Sequence, residues 1–323
     1  MNEEYPAVFK EIANFIEEYD DFLVTAHFSP DGDAVGSCLG FASILNASGK
    51  KATVALEGGM PDRYAFLTNP GHIIDPKDVE RERKYKNVVV LDIGSYNRIG
   101  HVTRIVADEP NILNIDHHPS NDGLGKVSYL DGTASSVCEI IYYLAKYLKI
   151  DIDPNIATYL YTGIMTDTGR FRFSNTTPTA FCACGELVKC GADPATITES
   201  VYFDLPRENI VALGKALNSL TFHGDGRLAV MEYLESPEIV DAEGFIDFAL
   251  GIKSAQAAVF IRVLSDDRYK VSLRARDALD VKAIAEKYDG GGHSKAAGFR
   301  YRGDLEALKK ELVTVMLAGL DAI

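Results

Sequence analysis

The sequence predicts an α/β protein: an N-terminal, mostly parallel sheet flanked by helices, followed by a smaller α+β unit. Up to about residue 190, short apolar runs alternate with amphipathic stretches, the pattern of a sheet covered by helices on both faces. Beyond that point the texture changes to strands with polar turns and few helices. At 323 residues the chain is also long enough for two domains.

Taken in order, residues 22–26 read as the first strand, and the loop through Asp33 enters a helix that runs to Asn46 and is closed by Gly49. Residues 51–56 and 87–91 read as further strands, and the apolar run 112–115 ends in Asp116. A long helix opens at 133–136 and reaches Leu148, with Thr133 expected as its N-cap. Pro154 starts another that ends near Asp167, and residues 177–190 form a third, stopped by Gly191. Residues 194–220 read as linking helices interrupted at Asp204-Leu205-Pro206. Strands at 227–233, 257–264 and 269–274 then mix with helices at 281–288 and 305–317. The expected division is a first domain at 1–192, a helical linker at 193–216 and a second domain at 217–323.

Net charge is −14, which argues against a partner such as long duplex nucleic acid, because that binding rests on many Lys and Arg contacts to phosphate. A small anionic substrate drawn to bound cations remains compatible. The acidic start Met1-Asn2-Glu3-Glu4 has no signal-peptide core, and no run approaches the roughly 18 apolar residues of a membrane span. Five unpatterned cysteines suit reduced thiols, so the expected location is the cytoplasm.

Four segments carry acids and histidines at the ends of apolar runs: His27 with Asp31 and Asp33, Asp92, Asp116-His117-His118, and Asp167. In open α/β sheets, ligands bind at the carboxyl ends of the strands. Such groups converging on one rim would repel one another unless positive charge sat between them. The pattern therefore points to a binuclear metal site and to phosphate chemistry. In the C-terminal part, Gly290-Gly291-Gly292-His293 would let backbone N–H groups approach an anion, with a helix expected to begin near Ser294. Around it, residues 257–303 hold ten Lys/Arg against six Asp/Glu, which suggests a phosphorylated ligand.

Other features read as structural. His72, His101 and His223 lack carboxylate company and read as surface or turn residues. Cys182 and Cys184, two apart on a helix, point about 200° away from each other and read as buried free thiols rather than a zinc site. Tyr142, Tyr143 and Tyr147 fit a packing face, Gly58-Gly59 a loop, and the charge run 81–86 a solvated face.

The Asp116-His117-His118 triplet, the upstream His27-Phe28-Ser29-Pro30-Asp31-Gly32-Asp33-Ala34 segment and the Gly-Gly-Gly-His loop together resemble the DHH/DHHA1 phosphoesterase family. Asp92-Ile93-Gly94-Ser95 with Arg98, and Asp167-Thr168-Gly169-Arg170-Phe171, match its remaining motifs, in order and across nearly the whole chain. The compact two-domain form looks like the NrnA-type nanoRNase and pAp (3′-phosphoadenosine 5′-phosphate) phosphatase branch. The resemblance implies two divalent ions, with Mn²⁺ expected on an oxygen-rich donor set. One would be held by His27, Asp31 and Asp92, the second by Asp33, Asp92, His117 and Asp167, with Asp92 bridging. It further implies attack on phosphorus by a two-metal-activated hydroxide. Asp116 would orient a neighbouring histidine. His118 would contact a phosphate oxygen or protonate the leaving 3′-oxygen, and Arg98 would support the carboxylates or a phosphate. Arg274, His293 and the Gly290-Gly291-Gly292 backbone would hold the nucleotide. Relatives commonly read Ser-x-Arg-Ser where this chain has Ser272-Leu273-Arg274-Ala275-Arg276, which bears on substrate preference.

The activity implied is Mn²⁺-dependent hydrolysis of short oligoribonucleotides and of pAp, with a cleft between domains limiting length. A phosphodiesterase of signalling dinucleotides (pApA or cyclic di-AMP) is the alternative. A single-strand DNA exonuclease and a non-catalytic nucleotide sensor fit less well. A homodimer is left open.

Overall fold

The computed structural model describes residues 5–67, 73–80, 82–118, 121, 123–235, 242, 244–276 and 279–322. The chain divides into two compact units, Met1–Asp204 and Leu205–Ile323. No helix among the described residues is long and apolar enough to cross a membrane.

The first unit runs α1 (Val8–Glu18), β1 (Phe22–Thr25), α2 (Gly32–Ala47), β2 (Ala52–Ala55), β3 (Ile73–Ile74), β4 (Tyr85–Leu91), a 3₁₀ segment (Tyr96–Ile105), β5 (Val106–Asp116), β6 (Val127–Leu130), α3 (Val137–Leu148), α4 (Pro154–Asp167), α5 (Pro178–Lys189) and α6 (Pro194–Tyr202). Its six strands lie in the order β3-β2-β1-β4-β5-β6, and every pairing is parallel. The central strands are buried on both faces, which is why they read as continuous apolar runs. Phe22, Val24, Val89, Leu91, Leu113 and Ile115 face the helices α1 to α5, while Leu23, Val88 and Val90 face Ile93, Ile99, Val102 and Ile105 on the other side. Because β1, β4 and β5 are adjacent and parallel, their carboxyl ends share one rim.

Helices α2 and α4 pack unusually close. A Cβ built on Gly36 would lie 2.4 Å from the Tyr159 carbonyl oxygen, and one on Gly32 would meet the Thr166 side chain. From the facing helix, a Cβ on Gly163 would lie 2.2 Å from Cys138 Sγ and 2.8 Å from Asp33 Oδ1. Glycine at these positions thus brings the last turn of α4 against the first turn of α2.

The second unit runs α7 (Arg207–Asn218), β7 (Thr221–His223), β8 (Leu228–Tyr233), α8 (Phe245–Leu250), β9 (Ala257–Ser265), β10 (Arg268–Ala275), α9 (Val281–Glu286), β11 (Gly291–His293), β12 (Ala296–Arg302) and α10 (Leu305–Asp321). Its six-stranded sheet has the order β11-β12-β10-β9-β8-β7, parallel between β8 and β9 and antiparallel elsewhere. One face packs on α9 and α10 and the other on α7 and α8.

The N-terminal α/β and C-terminal α+β architecture expected from sequence is present, and most elements fall within a few residues of their expected bounds. Several local expectations are corrected. Thr133 does not cap α3: Asp131 accepts its N–H at 3.0 Å and its hydroxyl at 2.6 Å. Ser136 is the cap instead, accepting the Glu139 N–H at 3.1 Å, and Glu139 reaches back to the N–H of Ser135 at 2.7 Å. No helix begins near Ser294; the glycine run enters β11, which pairs with β12. His101 does have carboxylate company, with Glu57 Oε1 3.1 Å from its Nδ1. Cys182 is exposed rather than buried, though Cys184 is buried on the opposite face. The charge run is not wholly a solvated face, since Tyr85 and Lys86 begin β4 and Tyr85 is buried. His72, Arg81 and Met1-Asn2-Glu3-Glu4 lie outside the described residues.

Gly163→Ala should destabilise the protein by about 1–3 kcal/mol, because the added methyl overpacks a close helix crossing. Urea unfolding with and without Mn²⁺ checks this, and apparent Mn²⁺ affinity should fall as well, since Asp33 is among the atoms displaced.

Candidate metal centre

The rim of the first sheet gathers most of the charged residues singled out above. His27 follows β1, Asp92 follows β4, and Asp116 ends β5 with His117 and His118 after it. Asp31 is the N-cap of α2, its Oδ1 accepting the N–H groups of Asp33 and Ala34, both at 3.1 Å. Asp33 lies in the first turn of that helix. Asp167 reaches the rim differently from the strand end its apolar run suggested, as the last residue of α4.

Asp92 is the hub. Its backbone adopts a left-handed conformation (φ 51°), uncommon for a residue with a side chain and a form of strain that gathers at functional sites. The carboxylate is buried, with His27 Nε2 3.5 Å from Oδ2 and His117 Nε2 3.7 Å from Oδ1. His27 Nε2 also stands 3.9 Å from Asp31 Oδ2, and His117 Nε2 3.6 Å from Asp167 Oδ2. These gaps are too long for good hydrogen bonds. Donors bound at about 2.1 Å to one divalent ion stand roughly 3 to 3.5 Å apart, close to the separations seen.

The tautomers agree with that arrangement. His27 Nδ1 donates to the Phe28 carbonyl at 2.9 Å and His117 Nδ1 to the Ala134 carbonyl at 3.4 Å, so both Nε2 atoms turn toward the carboxylates. Asp92 Oδ1 is buried and accepts no hydrogen bond among the described residues. Within the first unit, His27-Asp31-Asp92 and Asp33-Asp92-His117 are trios of donor atoms compact enough to hold an ion, and they share Asp92. The residues present therefore fit a pair of divalent ions. A third trio, Asp92-Asp116-His118, is different, because Asp116 Oδ1 already accepts His118 Nδ1 at 2.8 Å.

Neighbouring residues hold the carboxylates in place. Asp33 sits at the N-terminus of α3, its oxygens accepting the N–H groups of Val137 at 2.7 Å and Cys138 at 2.9 Å. Asn175 Nδ2 donates to the Asp167 backbone carbonyl at 3.2 Å and lies 3.4 Å from its Oδ2. Asn121 donates to Asp116 Oδ2 at 2.8 Å. None of these three supports was read from the sequence; the Ser136-x-x-Glu139 capping pattern, passed over for Thr133, is the signal that would have placed the start of α3 beside Asp33. Arg98 packs its guanidinium 5.7 Å above the Phe28 ring, and its carbonyl accepts the Phe28 N–H at 2.8 Å, steadying the loop that carries His27.

The protonation pattern is that of concentrated negative charge. Burial and the Asp92 charge push Asp33 up to about 7, and burial raises Asp167 well above the carboxylate range. Burial disfavours a charged His117, but Asp167, Asp92 and Asp33 outweigh it and raise the imidazole to about 9. For Asp92, burial is overcome by the facing His27 imidazole and by His118 and His117 beside it, which hold it low.

In the second unit, Gly290, Gly291, Gly292 and His293 lie at the β11 edge of the sheet, and Arg274 lies on β10. A Cβ on Gly290 would sit 2.4 Å from the Gly298 carbonyl and one on Gly292 2.4 Å from that of Ala296, so these glycines permit close strand pairing. Arg274 Nη1 donates to the Leu273 carbonyl at 3.1 Å. Arg276 is anchored within its own unit, donating to the Leu250 carbonyl at 2.5 Å.

Fold and site together define an α/β protein with a candidate metal centre at the carboxyl rim of a parallel sheet. The chain belongs to the DHH family: the DHH family N-terminal domain matches residues 21–164 and the DHHA1 domain residues 232–317. It is 32% identical over 300 residues to the bifunctional oligoribonuclease and PAP phosphatase NrnA of Thermus thermophilus, covering 90% of this chain and 89% of that one. The protein of the same description from Bacillus subtilis is 29% identical over 321 residues, covering 93% and 98%. Among solved structures, an exopolyphosphatase-related protein from Bacteroides fragilis superposes with a TM-score of 0.86 at 25% identity over 100% of this chain and 98% of that one.

A pH-dependent stability follows from the raised groups. Without divalent ions, Asp33 contributes stability that is complete below its ordinary value of 3.8 and lost as pH rises through about 7. The His117 contribution is complete below 6.5 and lost as pH rises through about 9. The melting temperature in chelator should therefore fall from neutral to mildly alkaline pH. Saturating Mn²⁺ should remove that fall and release protons on binding, read with a pH indicator in weak buffer.

Proposed function

We propose that this protein is a divalent-metal-dependent phosphodiesterase and phosphatase. In this reading it hydrolyses short oligoribonucleotides to 5′-mononucleotides, and pAp to AMP and phosphate. The observation that carries the reading is the buried Asp92 carboxylate facing the Nε2 atoms of both His27 and His117. Membership of the DHH family and the activities named for the Thermus and Bacillus relatives support it.

His27, Asp31 and Asp92 are assigned to one ion and Asp33, Asp92, His117 and Asp167 to the other, with Mn²⁺ the preferred metal. Bound there, the ions would supply positive charge for the phosphoryl oxygens and acidify water near neutral pH. The protein's own groups do the rest. Asp116 fixes His118 through the Nδ1 hydrogen bond, which leaves Nε2 as the working end of that ring. As the bond from phosphorus to the 3′-oxygen breaks, its electron pair stays on that oxygen, which takes a proton from His118. Water contributes hydroxyl to phosphorus and one proton to the medium. Arg98, Arg274, His293 and the Gly290, Gly291 and Gly292 backbone are assigned to the substrate's phosphates and sugar. The five cysteines carry no disulfide, which supports a cytoplasmic protein.

Asp92→Ala should lower turnover on pAp and on a dinucleotide by roughly a thousandfold or more, because both ions lose a shared ligand. Retained turnover would remove Asp92 from the site. Time courses on pAp, a 5′-phosphorylated dinucleotide, longer oligoribonucleotides and cyclic di-AMP should show rates falling steeply with length. The acidic chain offers little to hold a long polyanion. Equal rates on a dinucleotide and a long RNA would overturn the short-substrate reading.

A further inference from the structure

We propose that Asn121 is a positioning residue for the reaction, setting the His118 imidazole through Asp116; this rests on the role assigned to His118 above. Asp116 is fully buried, and Asn121 and His118 are both buried beside it. The two oxygens of Asp116 have separate duties. Oδ1 accepts the His117 N–H at 2.7 Å, the His118 N–H at 3.1 Å and His118 Nδ1 at 2.8 Å. Oδ2 accepts the side-chain amide of Asn121 at 2.8 Å. Asn121 is itself pinned at two points. Its backbone N–H donates to the His118 carbonyl at 3.2 Å, and its Oδ1 accepts the Gly123 N–H at 2.9 Å.

The amide therefore presents its Nδ2 to Asp116, and that contact fixes the carboxylate's rotation together with the donors on Oδ1. Without it, Oδ2 would be left buried without this donor, a costly state that the side chain relieves by turning. Turning moves Oδ1 away from His118, whose ring orientation depends on it. The order is Asn121 to Asp116 to His118, a buried orienting chain of the kind that sets a proton-donating imidazole. Among the described residues Asn121 hydrogen-bonds to none of those assigned to the ions, and of the groups on Asp116 Oδ1 only His118 engages it through its side chain, so the effect should fall mainly on the step His118 performs.

The leaving group supplies the test. A ribose 3′-oxygen needs a proton as it departs, whereas p-nitrophenolate does not. Wild-type protein, Asn121→Ala and the isosteric Asn121→Asp are given pAp and a p-nitrophenyl phosphodiester with Mn²⁺, and Mn²⁺ affinity is measured by calorimetry. Asn121→Ala should lower kcat on pAp about a hundredfold with KM changed less than about threefold, while the aryl ester loses less than about threefold. Asn121→Asp, which turns a donor into a second acceptor against Oδ2, should lose at least as much on pAp with Mn²⁺ affinity retained. If Asn121→Ala does not fold, the isosteric variant carries the same comparison. Equal losses on both substrates, or weakened Mn²⁺ binding, would overturn the proposal by placing Asn121 behind the ions or the fold. Full activity on pAp would overturn it outright. A wild-type protein inactive on both substrates would count against the phosphoesterase reading instead.

Discussion

The structure of the first unit is organised around one constraint, the confinement of several carboxylates within a few ångströms of the buried Asp92. Like charges so placed, with little water to screen them, shift one another's protonation strongly. The surrounding chain answers with several devices. It sets three imidazoles, His27, His117 and His118, against Asp92, engages Asp33 with the N-terminus of α3, and gives Asp116 three N–H donors on one oxygen and an amide on the other. These devices orient the acids, yet burial and the neighbouring carboxylates still hold Asp33 and Asp167 above the ordinary carboxylate range.

The helix packing serves the same centre. Asp167 belongs to α4, and it can approach Asp33 on α2 only because Gly32, Gly36 and Gly163 remove side chains from the crossing. Cys138 lies under this crossing, donating its N–H to Asp33 while its sulfur fills the space beside Gly163. Glycines that a propensity argument counts as helix weaknesses are therefore what bring the charged groups together.

Much of this was legible in the sequence because it is periodic or local. The strands before Asp92 and Asp116 are buried on both faces, so they read as unbroken apolar runs, and parallel strands share a rim. The helix starting at Pro154 was marked by that proline at its first position, and α5 by Gly191 after its end. Where reading failed, a competing local partner decided the outcome. Thr133 bonds to Asp131, which leaves Ser136 to cap α3. The glycine run before Ser294 joins a strand because Gly291, Gly292 and His293 find partners on β12. His101 meets Glu57, 44 positions earlier in the chain, a contact no window of sequence contains.

By itself, the sequence determined the two-part architecture, the identity of the acids and imidazoles, and their placement at the ends of elements, since these depend on hydrophobic period and residue chemistry. Only the tertiary structure decided which groups share a centre and which support it. The resemblance had named Asp92 as the shared acid and Asp116 as a support; the packed structure added Asp33 as a carboxylate held by α3, His118 as the partner of Asp116, and Asn121 and Asn175 as the amides that hold their neighbours. Those roles rest on side-chain rotation and ångström-scale approach between segments far apart in the chain. Such geometry has no period, and it exists only once the helices and the sheet are packed.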